Sequence, residues 1–345
     1  MKYTTFKIKR LVIIVIFAAL FIVSLLIGAV KDVTIKNLLT GNELAWQIIW
    51  VSRLPRTLAV ILAAAGLSVA GLIMQAISRN KFMSPSTAGA TNAAGLGIII
   101  AFILLSTQSG IIQTLFAFFF SLISTLLFTS VINHLKVRDA VYIPLIGMMY
   151  GGLISAITTL IAYRFDVMQM LQTINNGTFA KIGNFTMIYV ILIPLVLAIL
   201  FSSKFSIIGL GEDFSKNLGL NYNRVVFLGL VIIALVSAAS YTAVGPLPFV
   251  GLIIPNMTST FYGDNIKKTI TDLMFFGADF VLLCDIISRL VIFPFEMSVS
   301  LTISIFGGII FMIYIIIGVK RSKQTKIKKN HIISTNDKEP QVTHD

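Results

Sequence analysis

Three arginines stand where charge is scarce: Arg53 and Arg56, in the run Arg53-Leu54-Pro55-Arg56, and Arg289 near the end of a later apolar run. A guanidinium presents a rigid fork of N–H donors that matches a carboxylate. Three of them at one rim could therefore dock acidic side chains of a partner. They could equally be interfacial anchors that snorkel to lipid head groups. Exposed ion pairs contribute only about 0–1 kcal/mol each, so a docking ring would set register and encounter rate more than affinity. Two carboxylates share the apolar run of Arg289. Asp285 precedes it by four residues, the favourable order for a pair on one helix face. Asp279 lies deeper, with no partner evident in the sequence. An intramembrane carboxylate is a functional candidate by default, here as a proton relay. The reading favoured is packing, with a hydrogen bond to Ser or Asn of a neighbouring helix.

Absent chemistry narrows the class further. His134, His331 and His344 fall in loops or the tail, so no His pair holds zinc or haem within an apolar run. No G-x-x-x-x-G-K-[ST] cradle for a nucleotide phosphate occurs. The single cysteine, Cys284, reads as a small buried hydrophobe. No nucleophile–base set is present, so the chain is expected to be non-catalytic, with no metal and no cofactor.

The elements that position these residues follow from composition. Of 345 residues, 57% are hydrophobic and 12% charged, against roughly 25% charged in a soluble domain. That stock cannot build a water-facing surface, so an all-α polytopic membrane protein is expected. The net charge of +13 is not read as a nucleic-acid footprint, because the basic residues punctuate apolar runs instead of sharing one face. A bilayer core of ~30 Å needs ~20 apolar residues per helix. Ten candidate spans result: Leu11–Val30, Leu54–Ile77, Ala88–Ser106, Ile111–Ile132, Tyr142–Tyr163, Phe185–Phe201, Val225–Val244, Phe249–Tyr262, Ile270–Arg289 and Val299–Val319. The first is read as a span, since its Ile27-to-Lys31 end is a poor signal-peptide cleavage site. With the N-terminus inside, 20 of the 27 Lys and Arg fall on the inner side, which favours an N-in, C-in topology. The chain then divides into a cytoplasmic N-terminus (1–10), a transmembrane domain (11–319) and a basic cytoplasmic tail (320–345) expected to be disordered.

Three further segments could carry function. The longest polar inner loop, Gly211-Glu212-Asp213-Phe214-Ser215-Lys216-Asn217-Leu218-Gly219 and on to Tyr222, fits a short amphipathic helix. Asp213 would cap it and Gly219 would end it. Such a helix either docks a partner or lies on lipid. Gly245-Pro246-Leu247-Pro248 must interrupt a helix, and irregular backbone at membrane depth survives only inside protein or beside a wet cavity. Gly147, Gly151 and Gly152, with Gly307 and Gly308, permit close helix approach. They are read either as tight packing or as a seam between subunits that opens for a bulky solute.

These residues together resemble the FecCD family of ABC-transporter permeases. The likeness runs from about Trp50 to Phe311: Arg53-Leu-Pro-Arg56-Thr-Leu, Gly71-Leu-Ile-Met-Gln75 with Arg79-Asn80 and Ser84-Pro85, Gly211-Glu212 to Leu218-Gly219, Phe249-Val-Gly-Leu-Ile-Ile-Pro255, Asp285 to Arg289, and Pro294 to Gly307. The resemblance implies a type II ABC importer permease fold, working as a homodimer or paralogous heterodimer. It implies Arg53, Arg56 and Arg289 as the docking site for a substrate-binding lipoprotein. It implies Gly211, Glu212, Asp213, Phe214, Leu218 and Gly219 as the contact with a separate ABC ATPase subunit. A translocation path near Gly147, Gly151, Gly152, Pro246 and Pro248 follows from the same likeness, as does a bacterial cytoplasmic membrane location. The run Phe82-Met-Ser-Pro-Ser-Thr-Ala-Gly89 is similar to the subgroup serving catecholate and related siderophores, which makes a ferric siderophore the expected cargo. Cobalamin or haem are the alternative cargoes, and proton-coupled transport through Asp279 the alternative drive. The pattern departs at Asn256 and Ser259, where the family commonly has His and Arg, and at Lys81, where it has Pro.

Overall fold

The computed structural model describes residues 2–28, 37–38, 40–106, 109–135, 141–176, 186–263 and 265–336. Among them every regular element is helical. Helix α1 spans Lys2–Leu26, and α2 (Glu43–Ile48) runs through a π-helical turn (Ile49–Arg53) into α3 (Leu54–Ser78). Then come α4 (Ala90–Leu105), α5 (Gly110–Leu135), α6 (Tyr142–Arg164), α7 (Met168–Asn175), α8 (Thr186–Leu200), α9 (Ser202–Ile208) and α10 (Glu212–Asn217). The chain closes with α11 (Tyr222–Val244), α12 (Val250–Tyr262), α13 (Ile266–Leu290) and α14 (Val299–Asn336).

Helix α3 is the central strut, packed against α8, α11, α12 and α13. A helix apolar on every face belongs in a core, and α3 is rich in Ala and Gly, with Ala59, Ala63, Ala64 and Ala70 fully buried. Small residues let backbones approach closely. A Cβ on Gly71 would sit 1.9 Å from the Gly251 carbonyl oxygen of α12, so no larger residue fits without parting the two helices. Ile73, Met74, Phe205, Ile232, Ile233 and Leu273 fill the core around it. Helix α1 is fastened to α13 by a T-shaped Phe17–Phe275 contact (5.1 Å). The Arg10 guanidinium also donates to both oxygens of the buried Asp272 (2.7 and 2.9 Å).

Among the described residues, five segments are long and apolar enough to cross a membrane: Glu43–Ser78, Gly110–His134, Tyr142–Arg164, Tyr222–Val244 and Val299–Ile317. Tyr189–Leu200 and Ser202–Ile208, bent by 61°, make a sixth if they form one span; Arg10–Leu26 and Ala90–Leu105 are apolar but shorter. The remaining expected spans correspond to α12, which has 13 residues, and to α13, whose apolar character is broken by Asp272, Asp279, Asp285 and Arg289.

Several boundaries differ from expectation. The π turn extends the second span back to Glu43. Helix α7 was not expected, because its eight residues are too short and polar to register as a span. The tail expected to be disordered is helical as far as Asn336; it holds no Gly or Pro there, and Lys, Gln and Ile tolerate helix. Residues 337–345 lie outside the described residues. The Gly-Pro-Leu-Pro segment is non-helical, as its prolines require, and Phe249 (φ +64°) turns the chain into α12.

Candidate functional sites

At the N-terminal end of α3 the three arginines converge, as the sequence suggested, but they do not form an open ring. Arg53, Arg56 and Arg289 are 5%, 8% and 3% exposed. Each is engaged within the chain. Arg53 Nη1 donates to the carbonyl oxygens of Leu25 (2.9 Å) and Leu26 (2.5 Å). Those are unpaired acceptors at the negative end of α1. Arg289 Nη1 donates to the Ser24 and Ile27 carbonyls (3.0 and 2.9 Å) and Nη2 to Ser24 Oγ (2.9 Å). Asp285 is the hub: it pairs with Arg289 one turn away and, through Oδ1, with Arg56 Nη2 at 2.8 Å. Glu296, in the connection between α13 and α14, binds Arg56 Nη1 with both oxygens (3.0 and 2.8 Å). Burial follows because the end of α1 and the 291–298 connection close over the fork.

The opposite end of α3 carries the short inner helix. Helix α10 begins at Glu212, with Gly211 (φ +114°) as its N-cap residue and no side-chain cap. This corrects the assignment of Asp213 as cap; Asp213 sits inside the first turn. The far end is as expected: Leu220 N–H reaches Ser215 O (3.0 Å) and Gly219 N–H reaches Lys216 O (2.9 Å), the Schellman pattern, with Gly219 at φ +78°. Ser215 points inward and donates to the Gly211 carbonyl (2.6 Å). Phe214 and Leu218, one turn apart, point outward and are 50% and 55% exposed. Glu212 Oε1 lies 2.7 Å from Lys216 Nζ, and that contact raises the pKa of the exposed ammonium.

Beside α10 the three departures from the family pattern meet. Lys81 Nζ donates to Ser259 Oγ (3.0 Å), and Asn256 Nδ2 donates to the Lys81 carbonyl (2.7 Å), which also accepts from Gln75 Nε2 (3.0 Å). Lys81, 175 residues or more from Asn256 and Ser259, forms with them one constellation that ties α12 to the turn after α3. Lys81 and Ser259 border a cavity of about 310 Å³ together with Arg79 and Ser206.

A second cavity, about 680 Å³, opens between α6, the turn after α3, the start of α12 and α14. Gly151, Gly152 and Pro248 line it with Phe82, Met148 and Phe249, and among the described residues no charged side chain does. Nothing lies within 4 Å of a Cβ placed on Gly152. Gly147 and Pro246 do not line it. Gly147 is a packing glycine, whose Cβ would fall 1.9 Å from the Thr87 carbonyl oxygen, and the Pro246 carbonyl accepts from Ser300 Oγ.

Asp279 stands apart from these four sites. Its Oδ1 is buried without a hydrogen-bond partner, so the expected bond to a neighbouring Ser or Asn is not made at that oxygen. Cys284 is buried and free, as read. Among the described residues no group of His, Cys, Asp and Glu could hold a metal ion. Sequence reasoning missed Glu296 and Ser24 in the arginine cluster. The signal for Glu296 was a lone acid following Pro294 in a short connection.

The model of the FecCD transport family matches residues 13–317. The chain is 40% identical over 308 residues to the petrobactin import system permease protein YclN of Bacillus subtilis, covering 89% of this chain and 96% of that one. It is 36% identical over 309 residues to the ferric-anguibactin transport system permease protein FatD of Vibrio anguillarum, covering 89% and 98%. A solved structure described as an inward-facing metal-chelate type ABC transporter superposes with a TM-score of 0.74 at 23% identity, covering 89% of this chain and 98% of that one. That likeness gives the fold.

Proposed function

Since the chain belongs to the FecCD transport family, we propose that it is the membrane-spanning subunit of an ATP-driven importer for a ferric siderophore of the catecholate-related type. It crosses a bacterial cytoplasmic membrane ten times with both termini inside. It pairs with a second permease subunit and performs no chemistry on its cargo. A separate ATPase grips α10 through Phe214 and Leu218. A loaded binding protein docks at the opposite end, on the surface above Arg53, Arg56 and Arg289. Nucleotide-driven closure of the ATPase moves α10, and the subunit seam changes the side to which it opens.

The observation that carries this reading is the mostly apolar cavity beside Gly151 and Gly152, whose described lining residues carry no charge, in a chain 40% identical to a petrobactin permease. A path that must release a bulky chelate should not bind it tightly, and a wall without charged groups makes few strong contacts. The test is uptake of radiolabelled ferric petrobactin by cells lacking their own siderophore permeases and given this chain with its ATPase and binding protein. The reading expects uptake that is lost with Gly152→Trp, which fills the open side. Uptake of cobalamin but not of the ferric chelate would overturn the cargo assignment.

A further inference from the structure

Two carboxylates enter the arginine cluster: Asp285, which pairs with Arg56 and Arg289, and Glu296, which pairs with Arg56. The Nε–H groups of Arg56 and Arg289 are both buried with no acceptor, and an unmade bond at a buried donor is unfavourable, more so at a charged one.

The two carboxylates are not equivalent. Asp285 is fully buried on a helix and bridges two arginines. Glu296 is 25% exposed and lies outside any helix. Both of its oxygens share one nitrogen, Arg56 Nη1, in place of the two parallel N–H···O bonds that make an Arg–carboxylate pair strong. Before it in the chain, Val291, Ile292, Phe293 and Phe295 are all exposed, Phe295 by 75%. The Val291 N–H donates to the Ile287 carbonyl (3.1 Å) and the Met297 N–H to the Ser288 carbonyl (3.0 Å).

We infer that Glu296 is an exchangeable internal carboxylate: it occupies the Arg56 fork in the undocked permease and gives way there to a carboxylate of the binding protein. This rests on the docking role proposed above and deepens it by naming what must leave. Exchange conserves the charge at Arg56, so the cluster is never left with a bare guanidinium, and it frees the 291–295 segment to lie against the arriving protein.

The test titrates the importer's own binding protein, loaded with ferric petrobactin, onto the full permease–ATPase complex in nanodiscs. Glu296→Gln should tighten capture by ~3-fold or more, the size of one partly exposed ion pair. Glu43→Gln removes the same charge from an exposed site on α2 and should leave capture unchanged. Equal tightening by both variants means a general field effect and overturns the inference, as does Glu296→Gln capture that is unchanged or weaker. Arg56→Lys, which loses the fork, should weaken capture; if it does not, the docking reading itself has failed, whatever Glu296 does. A spin label at Phe295→Cys, with the buried Cys284 unlabelled, gives an independent readout. Docking should lower its mobility, because the released segment lies against the arriving protein, and unchanged mobility overturns the exchange.

Discussion

At one end of α3, Arg53, Arg56, Asp285 and Arg289 are packed out of water with the part-exposed Glu296 beside them; at the other, α10 holds two apolar side chains out into water. Both regions are read as contact sites for other proteins, yet they are built on opposite rules. The arginine cluster is held by ion pairs that burial strengthens and makes costly to break, so its residues carry fold and function together. Helix α10 is held by backbone: a Schellman end, an inward serine, and glycines at positive φ. Its outward side chains are therefore free to be chosen for a partner. The difference teaches that a lesion at the first site should read out as lost protein, and one at the second as intact but uncoupled protein.

The sharpest way to break that contrast is Asp285→Ala. It strands two buried guanidiniums, and the expected loss is about 3–5 kcal/mol of stability, seen as a large fall in melting temperature and in folded yield. A variant that melts with the wild type would show that the cluster does not hold this end together. Next in size is the double change Phe214→Ala with Leu218→Ala. Anchors of this kind are worth about 2 kcal/mol or more to an interface, so ATPase capture should fall by ~30-fold while melting hardly moves, as surface changes generally allow. Loss of folded protein here would erase the distinction between the two sites. Gly219→Ala should be milder: it forces a left-handed conformation at about 1 kcal/mol, visible as faster amide exchange confined to α10 and its flanks. Smallest is Lys216→Ala, which removes an exposed helical pair and should leave melting unchanged. Because Glu212 raises the Lys216 pKa, any contribution of that pair is full below the ordinary lysine value and fades only as pH climbs past it.

What could be read before the structure follows the same divide. The Asp285–Arg289 pair was legible because it is one turn long, and so was the Gly219 stop, because a single residue type favours that backbone. Arg56–Asp285 spans 229 residues and Arg10–Asp272 spans 262, distances that no local pattern encodes. The N-cap at Gly211 was missed because Asp213 is the stronger capping residue by type; only the backbone decides which is used. Lys81, Asn256 and Ser259 each stood out singly as departures, and their meaning lies in the hydrogen bonds they share. Gly147 and Gly152 differ in what lies opposite each, a carbonyl for one and open space for the other, which their spacing does not encode.

The central claim is that this chain is a gate without an engine. The direct measurement reconstitutes it in liposomes, alone or with its ATPase and binding protein, and follows ferric siderophore against its gradient. Accumulation should require ATP and all the partners, and should survive Asp279→Asn. Uphill accumulation by the chain alone, driven by an imposed proton gradient and abolished by Asp279→Asn, would contradict the account.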